Sequence, residues 1–182
     1  MASNKINVMH DIETVGTVPG SAILSIGATS FCMGTGERRK FYEKISLEDS
    51  LAEGFTQDEA TRKWWSEQNS VVRAEAFSGT KTVIEVLYEY AEFLTGALDG
   101  DEVLLWGNGS DFDNVLVAAA YQKLQMPLPW NSRNNRCYRT LKGLPGIPDK
   151  PQTVGAAHNA LVDAVNQANH AELILNKLSG RR

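Results

Sequence analysis

Lys5-Ile-Asn-Val-Met-His-Asp11 decides how the rest of the chain is read. Its length and apolar content are those of a short buried strand. Ala22–Phe31, rich in Ile, Leu, Ser and Thr, has the character of a second strand. Between them, Gly16 and Pro19-Gly20 supply a turn, and Arg39–Ile45 reads as a third strand. Connections this short cannot make a parallel crossover, so the three strands should open the fold as an antiparallel meander.

Working outward, Thr56-Gln-Asp-Glu59 has the form of a capping box and predicts a helix running through Trp64 and Trp65. A longer helix is expected over Thr82–Leu98, where Val83, Val86, Leu87, Tyr90, Ala91 and Leu94 recur at spacings of three and four. Val103–Trp106 is then a buried strand, Gly107–Asp111 a turn, and Phe112–Leu124 a helix. That strand-loop-helix unit presents residues at a sheet edge and, beside the meander, makes the sheet mixed. Gly143–Ala157 holds three of the six prolines and reads as an irregular loop. Beyond it, Leu161, Ala164, Ala168, Ala171, Leu175 and Leu178 form the apolar stripe of a final helix. On helical stripes, Tyr90 and Phe93 are core residues by default.

The chain has 182 residues, of which 42% are apolar, 22% charged and 8% aromatic, the balance of an ordinary soluble domain, and one domain over 1–182 is expected, α/β by the strand and helix pattern above. A net charge of −4 excludes binding of nucleic acid by bulk positive charge, but leaves open phosphate binding through metal ions. Within that balance, residues 131–142 carry Arg133, Arg136, Arg139 and Lys142 with no acidic residue; a solvated basic turn and a phosphate contact explain them equally well. Cys32 and Cys137 are too few for a disulfide scaffold and should be small buried apolar residues. The N-terminal residues lack an apolar leader segment, and no run approaches the roughly 20 apolar residues of a membrane span. A cytoplasmic protein with no membrane partner is expected.

Asp11 and Glu13 lie two apart at a strand end, so their side chains share a side of the sheet. That spacing suits paired Mg²⁺ or Mn²⁺ ions, which prefer oxygen ligands and need a carboxylate between them. Alone, an Asp-x-Glu pair is a weak signal, since a solvated strand end explains it. Asp113 and Asp163 each fall at a helix start, where the dipole also favours a carboxylate. His158 precedes Asp163 by five, which on one continuous helix would turn the two side chains apart by roughly 140°. If Asn159 is instead the N-cap, His158 belongs to the loop and can reach the same site. His10 and His170 read as structural.

Asp11-Ile-Glu-Thr14 with Ile23-Leu-Ser-Ile-Gly27, Asn108-Gly-Ser-Asp-Phe-Asp113 and His158-Asn-Ala-Leu-Val-Asp163 resemble, in order along the chain, the three motifs of DEDDh 3′-to-5′ exonucleases. That superfamily includes ribonuclease T, oligoribonuclease and proofreading subunits of bacterial replicases. The segment around Trp64 and Trp65 is similar to a phage and bacterial exoribonuclease-like branch. The resemblance implies a ribonuclease H-like mixed β-sheet flanked by α-helices. It departs from proofreading-type members in the middle motif, where three residues rather than two separate Asn108 from the aromatic-Asp pair. Asp113 is assigned to the site because it follows Phe112 and because Asp111 suits an N-cap; Asp111 as ligand is the alternative.

Carried over by this resemblance, Asp11 bridges two metal ions, Glu13 and Asp163 complete the first, Asp113 holds the second, and His158 takes the proton of the attacking water. The product is a nucleoside 5′-monophosphate. Thr14 and Val15, with Asn108, are the implied substrate contacts. Trp64, Trp65 and Trp106 could stack on bases, although core packing explains them more simply. The expected partners are DNA or RNA with a 3′ end and, at most, a second copy of the chain in a homodimer. Two other readings stand beside this one. The carboxylates could hold a metal merely to dock nucleic acid without catalysis, or the enzyme could be a phosphoesterase acting on a dinucleotide.

Overall fold

Every second residue of a strand faces the same way, and β1 (Lys5–Thr14) divides accordingly: Val8 and Ile12 join one apolar core while Met9 joins another. In the computed structural model, which describes residues 5–31, 38–96, 102–155 and 158–180, β1 is the central strand of five. It pairs antiparallel with β2 (Ile23–Phe31), which pairs antiparallel with β3 (Lys40–Lys44), so the expected meander forms. The β1–β2 pairing continues past Asp11 through Glu13↔Ser25 and shifts register before Thr14, which makes the strand three residues longer than its apolar run suggests.

Four helices follow, α1 (Leu47–Ala52), α2 (Glu59–Glu67), α3 (Ser70–Ala76) and α4 (Val83–Gly96). The chain then enters β4 (Glu102–Gly107), parallel to β1, and turns into α5 (Asp113–Lys123). β5 (Asn135–Cys137) adds parallel to β4, followed by α6 (Tyr138–Leu141), the loop and α7 (Ala160–Leu178). The mixed sheet has the order β3-β2-β1-β4-β5. Val83, Val86, Leu87 and Leu94 of α4 and Leu116 and Val117 of α5 fill the larger core. Ala164, Ala168, Ala171 and Ile174 of α7 close the other face over Met9, Phe31 and Trp106. The small residues of α7 bring its axis close to the sheet, and closest at Gly27, where any Cβ would overlap the backbone of Ala160 and Leu161. Gly27 pairs with Asp11, so this contact sets the start of α7 beside the first-strand carboxylates.

Three expectations change in detail. The cap of α2 is Asp58, whose carboxylate accepts the N–H of Thr61 at 2.6 Å. Thr56 is instead bridged to Ser21, and its N–H and hydroxyl both donate to the carbonyl of Gly20. The stripe on α7 fades at its end, where Leu178 is 60% exposed: a seven-residue spacing drifts around a 3.6-residue helix, and Ile174 takes the buried position. Cys137 is only partly buried, because its sulfur caps α6 by accepting the N–H of Thr140. Cys32, Leu98 and Ala157 lie outside the described residues. Among the described residues, no helix is long and apolar enough to cross a membrane.

Candidate active site

The alternation that sends Met9 into the α7 core sends Asp11 and Glu13 to the same side of the sheet. α7 answers them from above. Its N-cap, Asn159, accepts the N–H of Val162, and Asp163 follows in the first turn. One carboxylate oxygen each from Asp11, Glu13 and Asp163 lie within 4.8 Å of one another. Asp113 reaches the group from the neighbouring strand, at the turn from β4 into α5, where it is 3% exposed. The side chains of Asp113 and Asn114 fill the space a Cβ on Gly107 would need. The N–H of Gly109 donates to Asp113 Oδ2 at 3.3 Å. The four carboxylates therefore meet at the carboxyl ends of the parallel strands β1 and β4, the edge at which open α/β sheets bind ligands.

Burial and mutual repulsion both oppose ionisation here. Asp11 is held well above the usual carboxylate range by burial, then by the charges of Asp113 and Glu13, with the amide of Gln167 opposing at 2.8 Å. Glu13 is pushed up to about 8 by burial, then by Asp163 and Asp113. Asp113 rises to about 6 by burial, against hydrogen bonds from backbone N–H groups beginning with Gly109. Burial also raises Asp163, which the backbone N–H of His158 opposes. None of these four carboxylates enters a salt bridge among the described residues.

His158 lies in the loop before α7 with a positive φ of 61°, and its N–H donates to Asp163 Oδ2 at 3.0 Å. Its ring meets Trp64 edge-on, with centroids 5.0 Å apart. Trp64 is 40% exposed, whereas Trp65 is buried and donates its indole N–H to the carbonyl of Thr14. Beside them a hollow of about 380 Å³ is lined by Glu13, Thr14, Trp64, Trp65 and Phe112, among others. A carboxylate cluster, an imidazole and an aromatic-walled hollow thus share one edge of the sheet.

The sequence profile of the 3′-5′ exoribonuclease Rv2179c-like domain matches residues 6–175, a span that includes all of these side chains. The chain belongs to this exoribonuclease family. The family is one of 3′-5′ exoribonuclease domains, and the three motifs of this chain are similar to those of the DEDDh type. Two solved structures share the fold. Cell-death related nuclease 4 (CRN-4) superposes with a TM-score of 0.60 at 12% identity over 94% of this chain, which spans 64% of that one. The nuclease domain of 3′hExo, a DEDDh family member bound to rAMP, superposes with a TM-score of 0.59 at 11% identity, covering 98% of this chain and 94% of that one. No match was found among curated protein sequences.

In this exoribonuclease-family chain, Asp11, Glu13 and Asp163 come together, Asp113 stands beside them, and His158 sits in the loop that the Asn159 cap leaves outside the helix. Thr14 lines the hollow, although its hydroxyl donates to the carbonyl of Gly16. Val15, expected as a substrate contact, is fully buried in the core, so its side chain does not reach the hollow, which Trp64 and Phe112 line. Asn108 accepts from Lys142 Nζ at 3.1 Å. Asp111 is exposed and is not the cap of α5: Phe112 occupies the cap position without a side-chain bond. Trp65 and Trp106 are core residues with bonded indoles, and His10 and His170 are bonded to Tyr90 and Tyr138. Gln167 escaped the sequence reading, yet its signal was present: it lies four residues after Asp163, on the same face of α7.

Proposed function

We propose that the chain removes nucleotides one at a time from the 3′ end of RNA, using two divalent cations, Mg²⁺ or Mn²⁺, and releasing nucleoside 5′-monophosphates. The observation that carries this reading is the convergence of carboxylate oxygens from Asp11, Glu13 and Asp163 within 4.8 Å. The donor set is oxygen only, which fits these hard cations, and the raised affinity for protons at Glu13 and Asp11 marks a place short of positive charge.

Asp11, central to the group, would be the ligand common to two cations, with Glu13 and Asp163 completing one set of ligands and Asp113 the other. Cations held there would supply a lowered pKa for an attacking water and charge to offset that gathering on the phosphate. His158, in the loop before α7 with its ring edge-on to Trp64, accepts the proton of that water. The hollow beside Glu13 receives the terminal nucleoside, with Trp64 and Phe112 as apolar walls. Stacking of a base on an aromatic ring is worth roughly 1–3 kcal/mol and is indifferent to sequence, which suits successive removal of any nucleotide. The rAMP bound to the 3′hExo domain is a nucleoside monophosphate of the kind expected as product.

Digestion of matched 5′-labelled and 3′-labelled single-stranded RNA and DNA in Mg²⁺ or EDTA tests the reading. The expected result is a ladder shortening from the 3′ end of the RNA, immediate release of 3′ label as a mononucleotide, and no turnover in EDTA. Digestion in EDTA, shortening from the 5′ end, or faster removal from DNA than from RNA overturns it.

A further inference from the structure

The basic stretch of residues 131–142 is not used by the mechanism above. Arg136 turns back onto the carbonyls of Arg133 and Asn135. Arg139 and Lys142 face the loop that carries Asp113. The N–H of Arg139 donates to the carbonyl of Asn108 at 3.1 Å, and its guanidinium carbon lies 3.3 Å from where a Cβ on Gly109 would stand. Lys142 Nζ donates to Asn108 Oδ1 and sits over the Tyr138 ring at 5.0 Å. The ammonium of Lys142 is held below its usual value by partial burial, then by the charges of Lys150 and Arg139. Lys150 is also near enough to Asp163 to draw its carboxyl down.

Arg139, Lys142 and Lys150 are exposed, and none forms a salt bridge among the described residues, in a chain whose net charge is −4. The three cations stand close enough to repel one another; Asp111, whose Oδ1 shares the space over Gly109 with the Arg139 guanidinium, and Asp163 near Lys150 offset part of that cost, and an anionic ligand removes the rest. The hollow borders the carboxylates at Glu13 and Phe112, whereas these cations border them at Asn108 and Asp163. A strand whose terminal nucleoside fills the hollow places its scissile phosphate over the carboxylates and its next phosphates toward the cations.

We propose that Arg139, Lys142 and Lys150 form a track for the phosphates of single-stranded RNA upstream of the scissile bond. This rests on the 3′-exonuclease reading and adds a dependence on substrate length. Phosphate contacts carry no base information, so the track holds RNA of any sequence in register while successive 3′ ends enter the hollow.

The test compares the double variant Arg139→Gln, Lys142→Gln, and separately Lys150→Gln, with a charge-matched control, Lys123→Gln, Lys177→Gln. Rates are read on a dinucleotide and a ten-nucleotide RNA across a salt series. For the decamer the double variant should raise KM roughly tenfold, and its log KM should depend less steeply on log salt by about 1.4, or 0.7 for each lost phosphate contact. The dinucleotide should be affected least, and the control should behave as wild type. Unchanged KM and salt slope on the decamer, or an equal loss of kcat on both substrates, overturns the track. Fluorescence anisotropy of the labelled decamer in an Asp11→Asn background reads the track without turnover. Weakened binding in the double variant supports it, and unchanged binding overturns it, whether or not the wild type degrades RNA from its 3′ end.

Discussion

On one face of β1, His10 is fully buried beside the Tyr90 ring; on the other, Asp11 lies among three more carboxylates. Burial acts on both in the same sense, disfavouring charge, and the outcomes are opposite. The imidazole of His10 is pushed down to about 4, so at neutral pH it is uncharged, and its Nδ1 lies 3.0 Å from the Tyr90 hydroxyl. Its Nε2 is buried without a hydrogen-bond partner, a cost that a neutral ring bears far more easily than a charged one. Asp11 is pushed up by burial and then by its neighbours, and the single amide of Gln167 does not offset them. A neutral histidine is at home in a core, whereas clustered carboxylates must take up protons or cations. One strand therefore makes a structural face and a chemical face, and their difference lies in which protonation state burial selects.

The largest effect is expected from Asp11→Asn, which should reduce turnover roughly 10³-fold or more by removing the shared ligand. In EDTA the same substitution should raise the thermal midpoint, because it relieves the repulsion. His10→Phe keeps a ring beside Tyr90 and should do the reverse, costing about 1–3 kcal/mol of stability while kcat stays within a few-fold of wild type. If His10→Phe, at matched folded fraction, abolished turnover as Asp11→Asn does, the division between the faces would be wrong. The middle motif allows a second break. Asp113→Asn should cripple turnover, and Asp111→Asn, at an exposed position that caps no helix, should change neither rate nor midpoint. The opposite pattern would move the ligand two residues back.

Next in size is His158→Ala. General-base catalysis contributes about 10² to 10⁴-fold, so kcat should fall by that factor. Isothermal titration should find Mg²⁺ affinity little changed, since the contact of His158 with Asp163 is through the backbone N–H, which alanine retains. The midpoint should also stay close to wild type. Full rate in the variant, or loss of rate only through unfolding, removes His158 from the mechanism.

How far the sequence led differs between the two faces of the strand. The meander, the buried strand at Val103–Trp106 and the α7 cap at Asn159 were legible because turn residues, apolar runs and capping side chains act over a few residues. The carboxylates were legible as three separated motifs, and strand alternation put Asp11 and Glu13 on one side. What stayed hidden is set by tertiary approach. Gln167 was masked by the apolar stripe around it, and Trp64 reads like Trp65 until the fold buries one and leaves the other beside the hollow. Val15 was a substrate contact only by the resemblance; its N–H pairs with the carbonyl of Ala22, and the turn packs its side chain into the core. The cap at Asp58 rather than Thr56 depended on a bridge to Ser21, thirty-five residues earlier in the chain.

The smallest predicted effect concerns stability and gives the most direct reading of the chemical face. Glu13 in the folded protein holds its proton up to about 8, against an ordinary value of 4.5, so between those limits the folded state binds more protons than the unfolded one. The free energy of unfolding must then fall as pH rises through that window and level off above it, and the raised Asp113 and Asp163 act in the same direction. In EDTA the thermal midpoint should drop by roughly 10 °C between pH 5 and 8. Saturating Mg²⁺ should shrink or reverse the drop, because the cation replaces the protons the cluster would otherwise hold, and its binding should release protons measurable by calorimetry in buffers of different ionisation enthalpy. His10 adds the opposite trend only below its unfolded value of about 6.5, where the unfolded chain takes up a proton that the core refuses. Comparing His10→Phe with Asp11→Asn separates the two limbs. A midpoint flat from pH 5 to 8 in EDTA would mean that the carboxylates ionise together without cost, and the contrast between the faces of β1 would then have no energetic content.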